Sequence, residues 1–396
     1  MDPDCLPDAL ELCLEGDFDD QVEQLLQQIR LSRQQVEGLT PLFHDIEEML
    51  QFMWPGCSVK PFGSIITGLG IISSDVDCYA QLPEGEIPSS RTVIQARNRL
   101  RQFPHIFTEL FAITTAKVPV LKCYHIPTGY HCDINFTSLS GIYNSKLVAY
   151  LLHLDPRAVK LAVIIKYWSK IKKITGTNLM PNYGLTLLVI FYLQQICMLP
   201  SVKDLQSDVE CLMTDYWNTN FNNNYLHRIT NNESLYKLLG GFFSYYGTFD
   251  FEENIICPYL GFPIRKKSFD LFLTNFSLYQ HNVAAEVCKP LRLDTSLCIQ
   301  DPFDHSRNCS VNIYPKLVTR IVDLFKSAAE TFHKDKKPNF LREILQKNTE
   351  NIYQEVKYKH RKTKFLHNKV QKVQFNVFRN NHYNRNRGRI AKRGKR

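Results

Sequence analysis

Between Phe62 and Leu82 the chain reads FGSIITGLGIISSDVDCYAQL: two glycine turns, then a short β-prone run in which Asp75 and Asp77 alternate with Val76 and Cys78. Side chains on a strand alternate faces, so the two carboxylates point the same way with Cα atoms about 7 Å apart, while Val76 and Cys78 face a core. Like charges so placed repel. A polar solvent face on an edge strand accounts for most isolated Asp-x-Asp pairs, but the alternation with apolar residues marks this acidic face as patterned. A cation between the carboxylates removes the repulsion. Hard, oxygen-preferring Mg²⁺ or Mn²⁺ fits, because two carboxylates, substrate phosphates and waters complete an octahedral shell.

The texture of the chain changes on either side of this run. Residues 18–53 read helical, with Val22, Leu25, Leu26 and Ile29 at three- and four-residue spacing. Residues 56–138 carry β-prone runs at 58–66, 75–82, 118–126 and 130–138, with a helix expected over 89–103. From Asn144 the helical pattern returns in DPRAVKLAVIIKYWSKIKK, NYGLTLLVIFYLQQICM and LYKLLGGFFSYYGTF, interrupted by the polar loop NTNFNNN at 218–224. The expectation is an α+β protein in which a small sheet domain is inserted between two parts of a helical domain, the N-terminal helices packing with the later ones. No internal repeat is present.

At 396 residues, 44% hydrophobic and 22% charged, the chain has the composition of an ordinary globular protein with room for two domains. The first 24 residues hold nine acidic side chains and no Lys or Arg, unlike a secretory signal or a basic transit peptide. The longest apolar stretch, Tyr183 to Leu193, has 11 residues, too few to span a bilayer. The 12 cysteines are scattered, without a C-x-x-C pair, and several (Cys197, Cys211, Cys288) sit in apolar runs, which points to free buried thiols in a reducing compartment. Net charge is +9, yet from Lys357 onward there are 15 Lys plus Arg and no acid, leaving −6 for residues 1–356. That basic end, closing in NRNRGRIAKRGKR, is poor in apolar residues and is expected to be a disordered arm: a solubilising tail, a contact for nucleic-acid backbone, or a nuclear-import signal.

A third carboxylate, Asp133, lies in the alternating run YHCDINF, and a neighbouring strand would bring it beside Asp75 and Asp77. Three carboxylates on two adjacent strands suit a pair of ions about 3.5 to 4 Å apart, one activating a hydroxyl and one steadying a leaving phosphate. Gly63 and Ser64 stand eleven and more residues earlier; glycine lets the backbone approach a phosphate and the serine hydroxyl donates to it. Lys166 and Lys170 are four apart in a helix, hence on one face: a solvated face in isolation, or two ammonium groups reaching β- and γ-phosphates.

Phe-Gly-Ser, then Ser-Asp-Val-Asp, then a later strand Asp resembles the signature of the DNA polymerase β-like nucleotidyltransferase superfamily. The segments NSKLVAYLLHLDPRAVKLAVIIKYWSKIKK, LMPNYGLTLLVIFYLQ, LPSVKDLQ, LLGGFFSYYGTFDF and QDPFDHSRN resemble the non-canonical poly(A) polymerase and terminal uridylyltransferase family in the same order, over roughly residues 40–320. The resemblance implies a polymerase β-like sheet domain inserted in a mainly helical poly(A) polymerase-associated domain, with the active site in the cleft between them. It divides the chain into N-terminal helices at 1–50, a catalytic domain at 51–141, a helical central domain with the nucleotide-recognition segment at 142–345, and the basic tail at 346–396. It further implies that Asp75, Asp77 and Asp133 hold the metals, that Gly63 and Ser64 touch the triphosphate, and that Asn144 contacts the ribose. Asn182 occupies the place of a phosphate-contacting residue, usually serine, and Tyr183 that of a base-stacking tyrosine.

Base choice turns on DPFDHSRN. Family members that prefer UTP usually carry histidine where this chain has Arg307, and an arginine there fills similar space and donates hydrogen bonds. Asp301 and Asp304 match acidic positions near the uracil edge. Two local alternatives are an Arg307–Asp304 pair and an Asp301 cap on the turn before Pro302. The resemblance therefore implies a template-independent RNA 3′-terminal nucleotidyltransferase using Mg²⁺ or Mn²⁺, with uridine addition from UTP favoured over adenosine addition from ATP. An inactive RNA-binding scaffold is the rival from another class. RNA would be held by the cleft and by the tail on its backbone, with no membrane partner, and the expected location is cytoplasmic, with the nucleus as the alternative that the tail suggests.

Overall fold

The computed structural model describes residues 6–8, 10–334 and 337–347. Helix α1 (Phe18–Ile29) begins at Asp17, whose carboxylate accepts from the Asp19 and Asp20 amides at 2.9 and 3.0 Å, meeting two of the donors a helix start leaves unpaired. Its stripe of Phe18, Val22, Leu25, Leu26 and Ile29 is buried. The chain then leaves the helix, and Leu31 N–H donates to Gly70 O at 3.0 Å while Ile72 N–H donates to Ile29 O at 2.8 Å. Helices α2 (Arg33–Glu37) and α3 (Thr40–Gln51) follow.

The sheet contains β1 (Ser58–Phe62), β2 (Val76–Gln81), β3 (Phe107–Ile113), β4 (Val120–His125) and β5 (Tyr130–Asn135) in the order β1-β2-β5-β4-β3. Only β2 and β5 are parallel. The run expected over 58–66 stops at Phe62, because Gly63 turns the chain into the short helix α4 (Ser64–Thr67). Helix α5 (Ser90–Leu100) lies with α3 under one face of the sheet, where Leu42, Ile46, Leu50, Val93, Ala96 and Leu100 pack against Val76, Cys78, Ala80, Leu121 and Ile134. Period-two alternation selects that face: Val76, Cys78 and Ala80 are buried, and the odd-numbered residues between them look the other way. Strand β3 is absent from the sequence expectation, since a bulge between Thr108 and Phe111 interrupts its alternation.

A second core gathers α1 with α6 (Ser140–His153), α7 (Pro156–Ile171), α8 (Asn182–Gln195) and the later helices. Twelve of the sixteen residues of α7 are buried, so it is a central helix rather than an amphipathic surface one. After α9 (Val202–Gln206), the strands β6 (Met213–Thr214) and β7 (Trp217–Asn218) form a hairpin; α10 (Leu235–Thr248) follows. Strands β8 (Asn254–Ile256), β9 (Ile264–Arg265) and, beyond α11 (Ser277–Ala284), β10 (Cys298–Ile299) make a small sheet with its own apolar cluster. Helices α12 (Pro315–His333) and α13 (Lys337–Ile344) return to α10 and α1.

The N-terminal helices divide between the two cores. Helix α1 lies in the helical one, whereas α3 lies beneath the sheet, so not all of residues 1–50 pack as expected; the apolar stripe of α3 is the lid on the β face. The region after 142 is also less purely helical than the sequence suggests, carrying β6 to β10. Among the described residues the cysteines are free, but Cys197 and Cys211 are exposed and Cys288 is half-buried; the buried thiols are others, including Cys78, Cys123 and Cys132 in the sheet. No helix among the described residues is long and apolar enough to cross a membrane. The expected basic tail lies outside the described residues, apart from Gln346 and Lys347.

Candidate active site

The parallel β2–β5 register sets Asp77 opposite Asp133. Opposed residues project to one face, so strand pairing brings together two carboxylates distant in sequence, and Asp75 joins them from the residue just before β2. Asp75 is exposed; Asp77 and Asp133 are half-buried. Burial, then the charges of Asp133 and Asp75, push the Asp77 carboxyl up to about 7. Burial raises Asp133 too, against the pull of Lys122, whose Nζ lies 2.5 Å from Asp133 Oδ2. Lys122 stands opposite Asp133 on β4. It is a site residue the sequence reading missed, although its alternation with the apolar Leu121 and Cys123 in VLKCYH already put it on the face away from the core. One ammonium paired against three carboxylates leaves the cluster short of positive charge, and its donors are all oxygen. That is the environment a hard divalent cation takes. A separate group, His44, Asp45 and Glu48 on α3, also brings its ligand atoms within 4.8 Å of one another, but Asp45 Oδ2 is engaged by the buried His125 Nε2 at 3.0 Å.

The glycine turn is built around the same carboxylate. Gly63 has φ +76°, and a Cβ there would lie 2.4 Å from Asp77 Oδ2, so only glycine lets the turn approach so closely. Its N–H donates to Ser145 Oγ at 2.8 Å. Ser64, half-buried, is the first residue of α4. The two lysines expected at the phosphates, Lys166 and Lys170 on α7, part company: Lys166 is buried, and its Nζ donates to Leu69 O at 2.8 Å and Ser74 Oγ at 2.9 Å, fastening the turn that delivers Asp75. Burial and the neighbouring Lys170 lower its ammonium to about 7. Lys170, one turn on, is half-buried.

The facing wall is reached through α6. Asn144, next to Ser145, donates from Nδ2 to Asp301 Oδ2 at 3.3 Å. One helix thus holds the glycine turn with one residue and the recognition segment with its neighbour. Among the described residues the buried Asn144 Oδ1 has no hydrogen-bond partner. Asp301 is 1% exposed, and both its oxygens face the chain: Oδ1 accepts the Phe303 and Asp304 amides at 3.0 and 3.1 Å, and Oδ2 lies 3.7 Å from Arg307 Nη1. Asp301 is therefore a turn cap rather than a group presented to a uracil edge. Arg307 pairs with Asp301 and not with Asp304, which accepts from Ser306 Oγ at 2.5 Å and faces Lys117 at 3.8 Å. Tyr183 is half-buried in the first turn of α8; burial and the Asp301 carboxylate raise its phenol. Asn182, the first residue of that helix, is exposed.

Two further contacts join the sheet to the facing wall, and neither was legible in sequence. Lys117, in the β3–β4 loop, reaches Asp304, and Ser138, after β5, donates to Asp215 Oδ2 at 3.2 Å at the tip of the β6–β7 hairpin. The result is a cleft with an acidic floor on β2 and β5, a glycine turn at one end, and a wall of Asn144, Tyr183 and Arg307.

Residues 18–153 match the family model described as poly(A) RNA polymerase, mitochondrial-like, central palm domain, and residues 234–307 match Cid1 family poly A polymerase. Together the two models match more than half of the chain. The chain is 27% identical over 354 residues to the mitochondrial poly(A) RNA polymerase of Homo sapiens, a match covering 80% of this chain and 56% of that protein. It is also 27% identical over 308 residues to terminal uridylyltransferase 7 of Homo sapiens, covering 73% of this chain and 19% of the relative. It thus spans little more than half the length of the first and far less of the second. Among solved structures, mtPAP in complex with UTP superposes with a TM-score of 0.73 at 21% identity, covering 85% of this chain and 74% of that one. The Cid1 poly(U) polymerase with Mg and 3′-dATP bound superposes with a TM-score of 0.68 at 21% identity, covering 84% and 99%. These likenesses establish a shared fold.

Proposed function

As a member of the family that unites poly(A) RNA polymerases with terminal uridylyltransferases, the chain has that family's polymerase β-like nucleotidyltransferase fold, and from this premise we propose that it adds ribonucleotides to the 3′ end of RNA without a template. The observation that carries the reading is the under-neutralised carboxylate cluster of Asp75, Asp77 and Asp133 on the floor of a cleft whose wall is assembled by Asn144 and Asp301. In such a reaction the RNA 3′-hydroxyl oxygen bonds to the α-phosphorus in line, its proton passing to solvent, while the bond from the α-phosphorus to the α–β bridging oxygen breaks and pyrophosphate leaves.

Asp75, Asp77 and Asp133 would hold Mg²⁺ or Mn²⁺, which supplies charge neutralisation at the phosphates and lowers the pKa of the attacking hydroxyl. The chain's own part is positioning. Gly63 and Ser64 bring backbone and hydroxyl to the triphosphate, with Lys170 and Asn182 at its far end. Lys166 acts on it indirectly, by fixing the Leu69–Ser74 turn. The unpartnered Asn144 Oδ1 is an acceptor for a ribose hydroxyl, and Tyr183 offers a ring to the base. The basic tail, with 15 Lys plus Arg from Lys357 onward, neutralises RNA phosphates.

For the nucleotide we favour UTP. Arg307 is held by Asp301 beside Tyr183, where it narrows the base pocket and offers donors to a pyrimidine. Addition of adenosine is the second reading, favoured by the match of residues 18–153 to the palm of mitochondrial-type poly(A) polymerases. Purified protein, a short labelled RNA and each NTP separately with Mg²⁺ or Mn²⁺ separate the outcomes. Extension with UTP above ATP supports the full reading, extension with ATP above UTP replaces its base choice, and no extension with any nucleotide overturns it.

A further inference from the structure

The sheet buries one face against α3 and α5, but its opposite face is only partly used by the site. Over β2 and β5 that face carries the catalytic row and is covered at one end, where Tyr79 and Asn135 are buried. Over β4 and β3 it is bare: Phe111 is 63% exposed and Ile113 37% exposed, beside a half-buried Tyr124 and an exposed His131. The strand registers run Asp77 to Asp133, Asp133 to Lys122 and Lys122 to Phe111. A single cross-sheet row therefore leads from the carboxylates to an exposed aromatic ring at the sheet edge.

Phe111 reaches that face only because of the bulge. Glu109 and Leu110 together oppose Cys123, and Glu109 takes φ +52°. Strict alternation continued from Phe107 and Thr108 would set Phe111 opposite Leu121, turning it into the core and Leu110 outward, since a single-residue slip exchanges faces. As it is, Leu110 and Ala112 pack against the core and the ring stands on the carboxylate side. Bulges next to active sites commonly re-aim a side chain in this way.

An RNA 3′-hydroxyl that meets the carboxylates must bring its last nucleotides from the side of the cleft not occupied by the nucleotide wall, and that side is the bare half of the face. Single strands are held by aromatic rings on which bases stack, with cations tracking the backbone, and an open sheet bearing exposed aromatics is one such surface. Here Lys122, beside Asp133, and Lys117, beside Asp304, supply the cations, and the exposed His131 ring lies 3.9 Å from Glu109. We propose that Phe111 and Tyr124 form the platform on which the terminal bases of the RNA stack while its 3′-hydroxyl is delivered to the Asp133 end of the cluster. This rests on the RNA-extending reading above, and it adds an RNA-binding subsite to it.

The test uses the full chain with Phe111→Ala, Tyr124→Ala and, as the aromatic control, Phe111→Trp. A labelled single-stranded RNA carries 5-iodouridine as its penultimate nucleotide. Phe111→Ala is expected to raise the RNA Kd and RNA KM about ten-fold, with nucleotide KM unmoved and Phe111→Trp restoring the wild-type values. Photocrosslinking of the wild type should map to Phe111 or Tyr124. A folded Phe111→Ala protein with unchanged RNA Kd and KM overturns the platform while leaving RNA extension standing. So does a change in sedimentation without a change in RNA binding, which assigns the face to a protein partner or a second copy. If the wild type extends no RNA, the functional reading fails by itself, and the platform is still decided: a crosslink at Phe111 or Tyr124 supports it, and a crosslink elsewhere or none overturns it.

Discussion

Two sets of carboxylates belong to one cleft, one on its floor and one behind its wall, and the chain treats them differently. Asp301 is almost wholly buried, yet its oxygens receive two backbone amides, the Asn144 amide and the Arg307 guanidinium. Asp77 is less buried, but faces Asp133 and Asp75 while, among the described residues, the ammonium in contact with the cluster goes to Asp133. A carboxylate fully supplied with donors holds a turn together. A carboxylate left beside its own kind is poised for a cation and for chemistry, because the strain of like charges is tolerated where a function requires it.

The sharpest way to break that contrast is Asp77→Asn. RNA extension should fall at least about a hundred-fold, the usual cost of removing a preorganised electrostatic group, while the melting temperature stays level or rises because one of three like charges is gone. Mn²⁺ should stabilise the wild type in thermal melts and not the variant, since a ligand that binds only the native state raises its stability. A variant that melts well below the wild type would place Asp77 in the same structural class as Asp301.

Asp301→Ala tests the wall. It strips acceptors from the Phe303 and Asp304 amides and leaves Arg307 without its partner, which should cost about 2 kcal/mol in urea unfolding. Asp301→Asn keeps one acceptor oxygen for the two amides and should recover most of that loss. Equal stability in all three proteins would show that the donors around Asp301 do no structural service.

Arg307→Ala sharpens the functional half of the comparison. Removing the side chain opens room for a purine, and the UTP to ATP ratio in direct competition should shift toward ATP about ten-fold. A change in which RNA 3′-terminal base is extended, with nucleotide choice unaltered, would make the arginine a reader of the RNA instead.

The smallest effect is in pH. Burial lowers the His305 imidazole to about 4, with the rings of Tyr259, Phe276 and Trp217 around it. Between its ordinary 6.5 and about 4 the unfolded chain binds more protons, so His305 takes stability away as pH falls. Asp77 acts in the opposite sense: raised from 3.8 to about 7, it takes stability away as pH rises through that range. Each slope is at most about 1.4 kcal/mol per pH unit. Metal-free wild type should be nearly flat near pH 5 to 6, Asp77→Asn should weaken toward acid, and His305→Gln should strengthen toward acid. Parallel stability curves for all three would remove the opposition between the two sites.

Much of this architecture was legible where local periodicity carried it. The alternation around Asp75 and Asp77 placed an acidic face opposite a core face, and the apolar runs of α7 and α8 marked helices, whose central position the structure then showed. Strand β3 was not legible, because its bulge breaks the period on which a strand is recognised. The short strands β6 to β10 have too few residues for a period to show. Within the site, residue types announced the carboxylates and the glycine turn, but not Lys122, Ser145 or Lys117, which are ordinary polar residues until a partner is set against them.

The sequence by itself determined which residues could share a face, because side-chain direction along a strand or helix follows from backbone geometry over a few residues. Which faces meet was decided only by the tertiary structure. The parallel pairing of β2 with β5 put Asp77 beside Asp133, α6 tied Gly63 to the recognition segment through adjacent residues, and Arg307 found Asp301 where spacing alone also allowed Asp304. The physical reason is range: alternation is a local property of the backbone, whereas a carboxylate's charge state and partners depend on burial and on groups brought within a few ångströms by the packing of the whole chain.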